Sequence, residues 1–272
     1  MNLEQSLIET EEQVNQLEQP NSEIDIQVAT AHRYPRSISS FKKMALDIVT
    51  SDQETAESCF YMLPRSGKNI EGPGVRLAEI VGLAWGNMRS GARVVGEDDK
   101  FIIAQGMAHD LERNVAVTVE VRRRITDKYG KKYRDDMIAV TANAACSIAL
   151  RNAIFKVVPK TFVDSIYKIA KQAAVGDAQT LNDRRHKVVD RFAKMGVPKE
   201  RIFSAMGVGG IEDITLEIVE KLIGLGTAIK DGDIHVDTAF PPVQAVQESS
   251  SKTESVAQKI KLKAEKKEGE SE

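Results

Sequence analysis

The sequence predicts an α+β fold in which a helix leads into a three-stranded antiparallel meander with a basic hairpin tip, followed by a long buried helix and a C-terminal helical module. Three observations carry this prediction. Val115, Val117, Val119, Val121 and Ile125 keep to one parity of the chain, the period of a strand with one buried face. From Met137 to Val158 the chain is apolar nearly all round and rich in alanine, with Ala139, Ala142, Ala144, Ala145, Ala149 and Ala153, a composition that lets backbones approach closely and suits a helix packed on a sheet. Charge, finally, is segregated: residues 1–59 carry 4 basic and 11 acidic side chains, net −7, whereas residues 60–160 carry 17 and 11, net +6. That asymmetry points to a polyanion as partner for the middle of the chain.

Taken in order, residues 1–35 read as a mobile acidic arm. Leu3, Leu7, Val14 and Leu17 outline a weak amphipathic helix that Pro20, Asn21 and Ser22 interrupt. Ser39 or Ser40 is placed to cap a helix through Phe41, Met44, Ala45, Ile48 and Val49, and a second short helix runs from Asp52 through Cys59 to Met62, ended by Pro64. Lys68 to Gly74 reads as a loop delivering the chain to a helix from Pro73 or Gly74 to Trp85, which Gly86 closes. Gly72-Pro73-Gly74 lacks the third glycine of a dinucleotide fingerprint and the Gly-Lys-Ser/Thr ending of a phosphate loop, so it is a helix start.

From Ala92 the period changes to two. Arg93-Val94-Val95, Phe101-Ile102-Ile103-Ala104 and Val115 to Ile125 form the meander, with Glu97-Asp98-Asp99 and Asp110 to Asn114 as its turns. Thr126 to Arg134 is the tip, with Gly130 at a positive-φ position. The long helix starts at Asp135 or Asp136 and stops before Pro159. On it Asn143, Ser147 and Arg151 recur at spacing four with Asn152 beside them, a polar stripe expected near the basic tip. After Pro159 a helix runs from Phe162 to Ala174, then a module of Asp183–Lys194, Pro198–Met206 and Thr215–Ile229, punctuated by Gly196, Gly207, Gly209 and Gly210. The expected domains are therefore the arm (1–35), an α+β core (36–175), a small helical module (176–240) and a disordered tail (241–272) whose Lys259 to Lys267 can become a short helix in a complex.

Composition narrows the chemistry. Cys59 and Cys146 are the only thiols, both in apolar surroundings, which fits a reducing cytosol. The acidic N-terminus lacks the pattern of a signal peptide, and no apolar run approaches ~20 residues, so neither export nor a membrane span is expected. His32, His109, His186 and His235 are dispersed, with no metal-ligand spacing to another His or Cys. A binder rather than an enzyme is expected, with no cofactor. The cations nominated for a groove on the sheet are Arg122, Arg123, Arg124, Lys128, Lys131, Lys132 and Arg134, joined by Arg89, Arg93, Arg151, Lys156 and Lys160. Cations on one strand and its turn track phosphates with salt-dependent, weakly sequence-specific affinity. Tyr129 and Tyr133 are placed to stack bases.

The order helix, antiparallel meander, long Ala-rich helix, together with Ile148-Ala149-Leu150-Arg151-Asn152-Ala153-Ile154-Phe155-Lys156, resembles the phage single-strand annealing recombinases of the RecT/Red-beta and Rad52-like superfamily, which carry a similar leucine-arginine-asparagine segment in the long helix. Gly207 to Thr215 and Thr227 to Gly232 are similar to a segment at the end of many phage recombination proteins. The resemblance covers roughly residues 60–235. It implies a homo-oligomeric ring or filament that lays single-stranded DNA between hairpin and core and anneals complementary strands to duplex without ATP, in the cytoplasm of the host bacterium. Arg151 and Asn152 match the family segment; the other cations are nominated by charge and position. A phage exonuclease and the host single-strand-binding protein are the implied partners of the C-terminal module or tail. Two alternatives stand beside this reading. One is a metal-dependent nuclease built on Asp98, Asp99, Asp110 and Glu120; the other is a phage protein whose basic tip contacts an acidic host protein.

Overall fold

The computed structural model describes residues 23–65 and 68–242. The first 22 residues of the acidic arm and the tail from 243, with its Lys259–Lys267 segment, lie outside the described residues. The fold is α+β, with ten α-helices, a two-stranded sheet and a three-stranded antiparallel sheet among the described residues. It divides into two units, one made of the chain up to Ser51 with Val75–Tyr167, the other of Asp52–Gly74 with the chain from Lys168.

In the first unit, α1 (Glu23–Arg33) occupies residues read as the end of the arm, and α2 (Ile38–Val49) begins at Ser37, whose hydroxyl accepts from the Ser40 amide. The cap thus lies two or three residues earlier than the sequence suggests. After α4 (Val75–Trp85), strands β3 (Met88–Glu97), β4 (Phe101–Asp110) and β5 (Val115–Arg124) form the sheet in that order, β4 central. β3 and β4 are longer than the apolar alternation alone marks, because Arg, Gly and His continue the ladder without an apolar side chain to signal it, whereas β5 ends one residue before the expected Ile125. Helix α5 (Asp135–Val157) covers one face. Its N-cap is Arg134, and Asp135 and Asp136 fall in the first turn, where carboxylates complement the helix dipole.

The closeness of α5 to the sheet is set by small residues on both sides. Ala145 and Ala149 are fully buried, as are Ala104 and Ala108 of β4. Between them lies Gly106, where a Cβ would stand 2.2 Å from the Ala149 carbonyl carbon. Ile102, Ile125 and Tyr133 join this alanine-rich layer. By length and composition α5 is the one helix among the described residues that could cross a membrane, contrary to the expectation that the chain holds no such segment. At the other end of the unit, Phe41, Trp85 and Phe162 stack edge to face or tilted, at 5.0 to 6.1 Å.

In the second unit, α3 (Gln53–Ser58) ends before Cys59 and the chain turns into β1 (Phe60–Arg65), paired antiparallel with β2 (Lys68–Pro73). The sequence predicts a helix to Met62 and then a loop; the pairing overturns both. Pro64 is tolerated because each strand of a two-stranded sheet has a free edge. Helix α6 (Lys160–Val175) enters this unit at Lys168, and α7 (Leu181–Lys194), α8 (Lys199–Met206) and α9 (Leu216–Lys230) follow, each within one or two residues of expectation, before the short α10 (Val236–Ala239). Helix α9, capped by Thr215, crosses β1 so closely that a Cβ on Gly224 would meet Met62 Cβ at 2.7 Å. Asp52–Gly74 therefore belongs with the C-terminal helices rather than with the meander.

Candidate nucleic-acid interface

Strand register decides which cations share a surface. Residues directly opposite on an antiparallel pair point to the same side. On β4 the buried series Ile102, Ala104, Gly106, Ala108 and Asp110 faces α5, so Phe101, Ile103, Gln105, Met107 and His109 face the other way. Opposite these lie Arg89 (His109) and Arg93 (Gln105) on β3, and Arg124 (Phe101) and Arg122 (Ile103) on β5. Four arginines from two strands thus stand on the open face. Counted along β4, they extend over about eight residues, or roughly 26 Å.

Their surroundings differ. The guanidinium of Arg122 lies 5.0 Å, and that of Arg124 5.7 Å, from the Phe101 ring centroid, so the aromatic face holds two flat cations beside each other. Arg122 also reaches Asp98 at 3.1 Å. That carboxyl accepts the Lys100 and Phe101 amides in the β3–β4 turn, and these bonds, reinforced by Arg122, hold it below the usual carboxylate range. Arg93 is exposed and has no ion-pair partner among the described residues. Arg89 faces α1, with Nη1 3.4 Å from Glu23 Oε1 and 3.5 Å from Gln27 Oε1. Of the strand residues on this face one is acidic, Glu120, opposite Gln105, so with Asp98 and Glu23 three carboxylates lie among the four arginines.

The tip is compact. Thr126 bridges to Lys132, the Asp127 amide donates to the Lys131 carbonyl, and Asp127 Oδ1 accepts the Tyr129 and Lys131 amides. Gly130 has φ +86°, as the turn requires. Lys128 and Lys131 are exposed, Lys128 4.9 Å from the Tyr129 ring. Lys132 pairs with Glu97 at 2.6 Å, a hydrogen bond that raises its ammonium pKa, and Arg134 pairs with Asp136 at 2.9 Å. Tyr129 is 82% exposed. Tyr133 packs against the buried layer under α5, so it is a core side chain and not a platform for bases.

The remaining nominated residues lie elsewhere. Arg123 points to the α5 side, opposite Ile102. With Ala145 and Ala149 turned to the sheet, Arg151 falls about 200° round the helix from Ala149, on the side away from the strands. Its Nε donates to Asn152 Oδ1 at 3.3 Å. Lys156 is exposed near the end of α5, and Lys160 pairs with Asp164 one turn along α6. The sheet separates these residues from the four strand arginines. The single groove expected to hold all of them is therefore two surfaces.

The acids considered for a metal site do not converge. Asp98 sits in the turn at one end of β4 and Asp110 at the other, about 30 Å away along the strand, and no group of three or more His, Cys, Asp or Glu is arranged for a metal among the described residues. Asp110, expected in a turn, is 2% exposed. It takes both guanidinium nitrogens of Arg36, with Nη1 to Oδ2 at 2.6 Å, and accepts from Trp85 Nε1 at 3.2 Å. Arg36 also lies 4.4 Å from the Trp85 ring and reaches Glu112 at 3.2 Å. Burial pushes the Asp110 carboxyl up, but Arg36, Trp85 and the Arg113 amide outweigh it and hold it below its ordinary value. This cluster, unmarked by any motif, ties the α1–α2 connection to the end of the sheet. No family model, curated protein or solved structure matches the chain.

Proposed function

We propose that the protein binds single-stranded DNA on the open face of its three-stranded sheet and anneals complementary strands without ATP, as an oligomeric ring or filament in phage recombination. The observation that carries the reading is the alignment of Arg89, Arg93, Arg122 and Arg124 on one solvent-facing side of the sheet. Guanidinium groups spaced along a strand pair suit a run of phosphates. Contacts limited to phosphates leave base edges free to find a complement, and repeating the face in an oligomer adds weak sites through effective concentration. β3 and β5 are the outer strands of the sheet among the described residues, edges on which a neighbouring strand can add; Val94 and Val95 on β3 are 44% and 42% exposed. The resemblance of the Ile148–Lys156 segment supports annealing over simple binding, and it is also the ground for placing the protein in the host cytoplasm with a phage exonuclease and the host single-strand-binding protein as partners.

Annealing of two complementary fluorescent oligonucleotides without ATP, followed at two salt concentrations, tests the reading. Acceleration that fades with salt is expected. No acceleration, and no DNA retained at low salt, would remove it. Cleavage of the oligonucleotides that depends on a divalent ion would support a nuclease instead, and binding to a host protein extract without DNA affinity would support a host-interaction protein.

A further inference from the structure

We infer that Gly91, Met107 and Thr118, a row that crosses the open face of the sheet, seat one nucleobase by its flat side, with the phosphate of that nucleotide on Arg93. Strand register sets the row: Met107 of β4 lies opposite both Gly91 of β3 and Thr118 of β5. Met107 is its one large side chain, half-buried, whereas Gly91 and Thr118 are exposed. A Cβ built on Gly91 would meet nothing within 4 Å, while at Gly96, the other glycine of β3, Ile103 Cδ1 already stands 3.7 Å from that position. A glycine inside a strand marks a place where another group can approach the backbone closely. Here the bare backbone lies beside a thioether, and a flat ring can rest on both.

The neighbouring rows give the seat a direction. On one side stand Arg93, Gln105 and Glu120, and on the other Arg89, His109 and Ala116. Successive rows on one face are two residues apart along the strand, roughly 6.6 Å, a step that leads from a phosphate across its sugar to its base. The Arg93 row carries opposite charges at its two ends, so a phosphate is drawn to the β3 edge and kept from β5 by Glu120. The attached base then points inward, over Met107. Arg89 is turned to Glu23 at 3.4 Å, which leaves the phosphate to Arg93, exposed and without an ion-pair partner among the described residues. A base held by its ring face keeps its pairing edge free, as annealing requires. Contact between sulfur and ring depends on polarisability rather than net charge, so salt does not screen it. The seat rests on the nucleic-acid reading above and adds to the phosphate contacts one that recognises the base.

Fluorescence anisotropy on the full chain tests this with two labelled ligands of equal length and charge, an oligo-dT and a strand of abasic deoxyribose phosphates, over a salt series. Both should weaken as salt rises, but oligo-dT should bind about five-fold more tightly than the abasic strand at every salt concentration. Gly91→Val puts a side chain where the ring lies and should bring that ratio close to one. Met107→Thr removes the thioether but leaves the β3 backbone bare, and should lower the ratio to about two. Unfolding followed by Trp85 fluorescence shows that each variant is folded. Equal affinity of the wild type for the two ligands would overturn the seat and leave the phosphate contacts standing. A five-fold ratio kept by both folded variants would overturn it as well, because the base would then rest elsewhere on the protein. If neither ligand is retained at low salt, the nucleic-acid reading falls and the seat falls with it.

Discussion

The two faces of the three-stranded sheet are made from the same strands and obey opposite rules. On the α5 side, a Cβ on Gly106 would overlap the backbone of Ala149, and Ala104, Ala108, Ala145 and Ala149 are fully buried. On the other side, Gly91 has nothing within 4 Å of where a Cβ would stand, and its neighbours on β3 are Arg89 and Arg93. Side-chain volume is thus fixed on one face and unconstrained on the other. Substitutions on the packed face should register in stability, and substitutions on the open face in what the protein binds.

Gly106→Val should give the largest effect. Its Cβ would overlap the Ala149 carbonyl carbon, and the obstacle is helix backbone, which cannot rotate away, so a loss of at least about 3 kcal/mol is expected. Gly91→Val, one strand over, should change stability by less than about 0.5 kcal/mol. Urea unfolding followed by the fluorescence of Trp85, the only tryptophan and a core residue of this unit, measures both. Comparable losses would erase the distinction between the faces.

Next in size comes Asp110→Ala, which leaves Arg36, 6% exposed in its side chain, buried without its bidentate partner. A loss of about 3 kcal/mol is expected, as for other broken buried pairs, together with a change in Trp85 emission, since Arg36 lies on the indole and Asp110 accepts its N–H. An unchanged unfolding midpoint would mean the cluster does not tie down the α1–α2 connection.

A smaller contrast lies in pH. The Asp110 carboxyl is held below its unfolded value, so the stability it contributes is present above an unfolded pKa of about 3.9 and is lost as pH falls through the lower folded value. Glu57, in the second unit, is the reverse. Burial raises its pKa more than Arg191, Arg184 and Lys187 lower it, although Arg191 stands 3.1 Å away. Its ionisation therefore costs that unit stability, from an unfolded pKa of about 4.3 upward until the higher folded value is passed. Asp110→Asn should flatten the acid limb of Trp85-detected unfolding. Glu57→Gln should flatten a loss that sets in above about pH 4, read by amide exchange over β1. The same sign in both variants would show that one of the two environments is misassigned.

What is legible in the sequence follows from what periodicity encodes. A period of two fixes which strand residues share a face, so alternation alone separates Arg122 and Arg124 from the valines of β5. The stripe Asn143, Ser147, Arg151 is equally visible, but helical spacing says nothing about which way the stripe turns relative to the sheet; Ala149 against Gly106 settles that, and sends Arg151 to the far side. Arg36 lies in a connection with no period at all, and its partner is 74 residues away. β1 escapes detection because Tyr61-Met62-Leu63-Pro64 is short and apolar, a run for which helix end and strand look alike. Tyr133 reads as a surface aromatic because it sits among cations, though its ring turns inward.

The most direct test of the open-face assignment compares two variants for binding of labelled oligo-dT over a salt series. Arg93/Arg122/Arg124→Ala removes strand-face cations, and Arg151/Lys156→Ala removes cations on α5. The strand-face variant should lose at least about ten-fold in affinity at low salt, with the slope of log affinity against log salt shallower by about 2, while the α5 variant keeps both slope and affinity within about two-fold. The opposite pattern, with affinity lost from α5 and kept on the strands, would contradict the assignment.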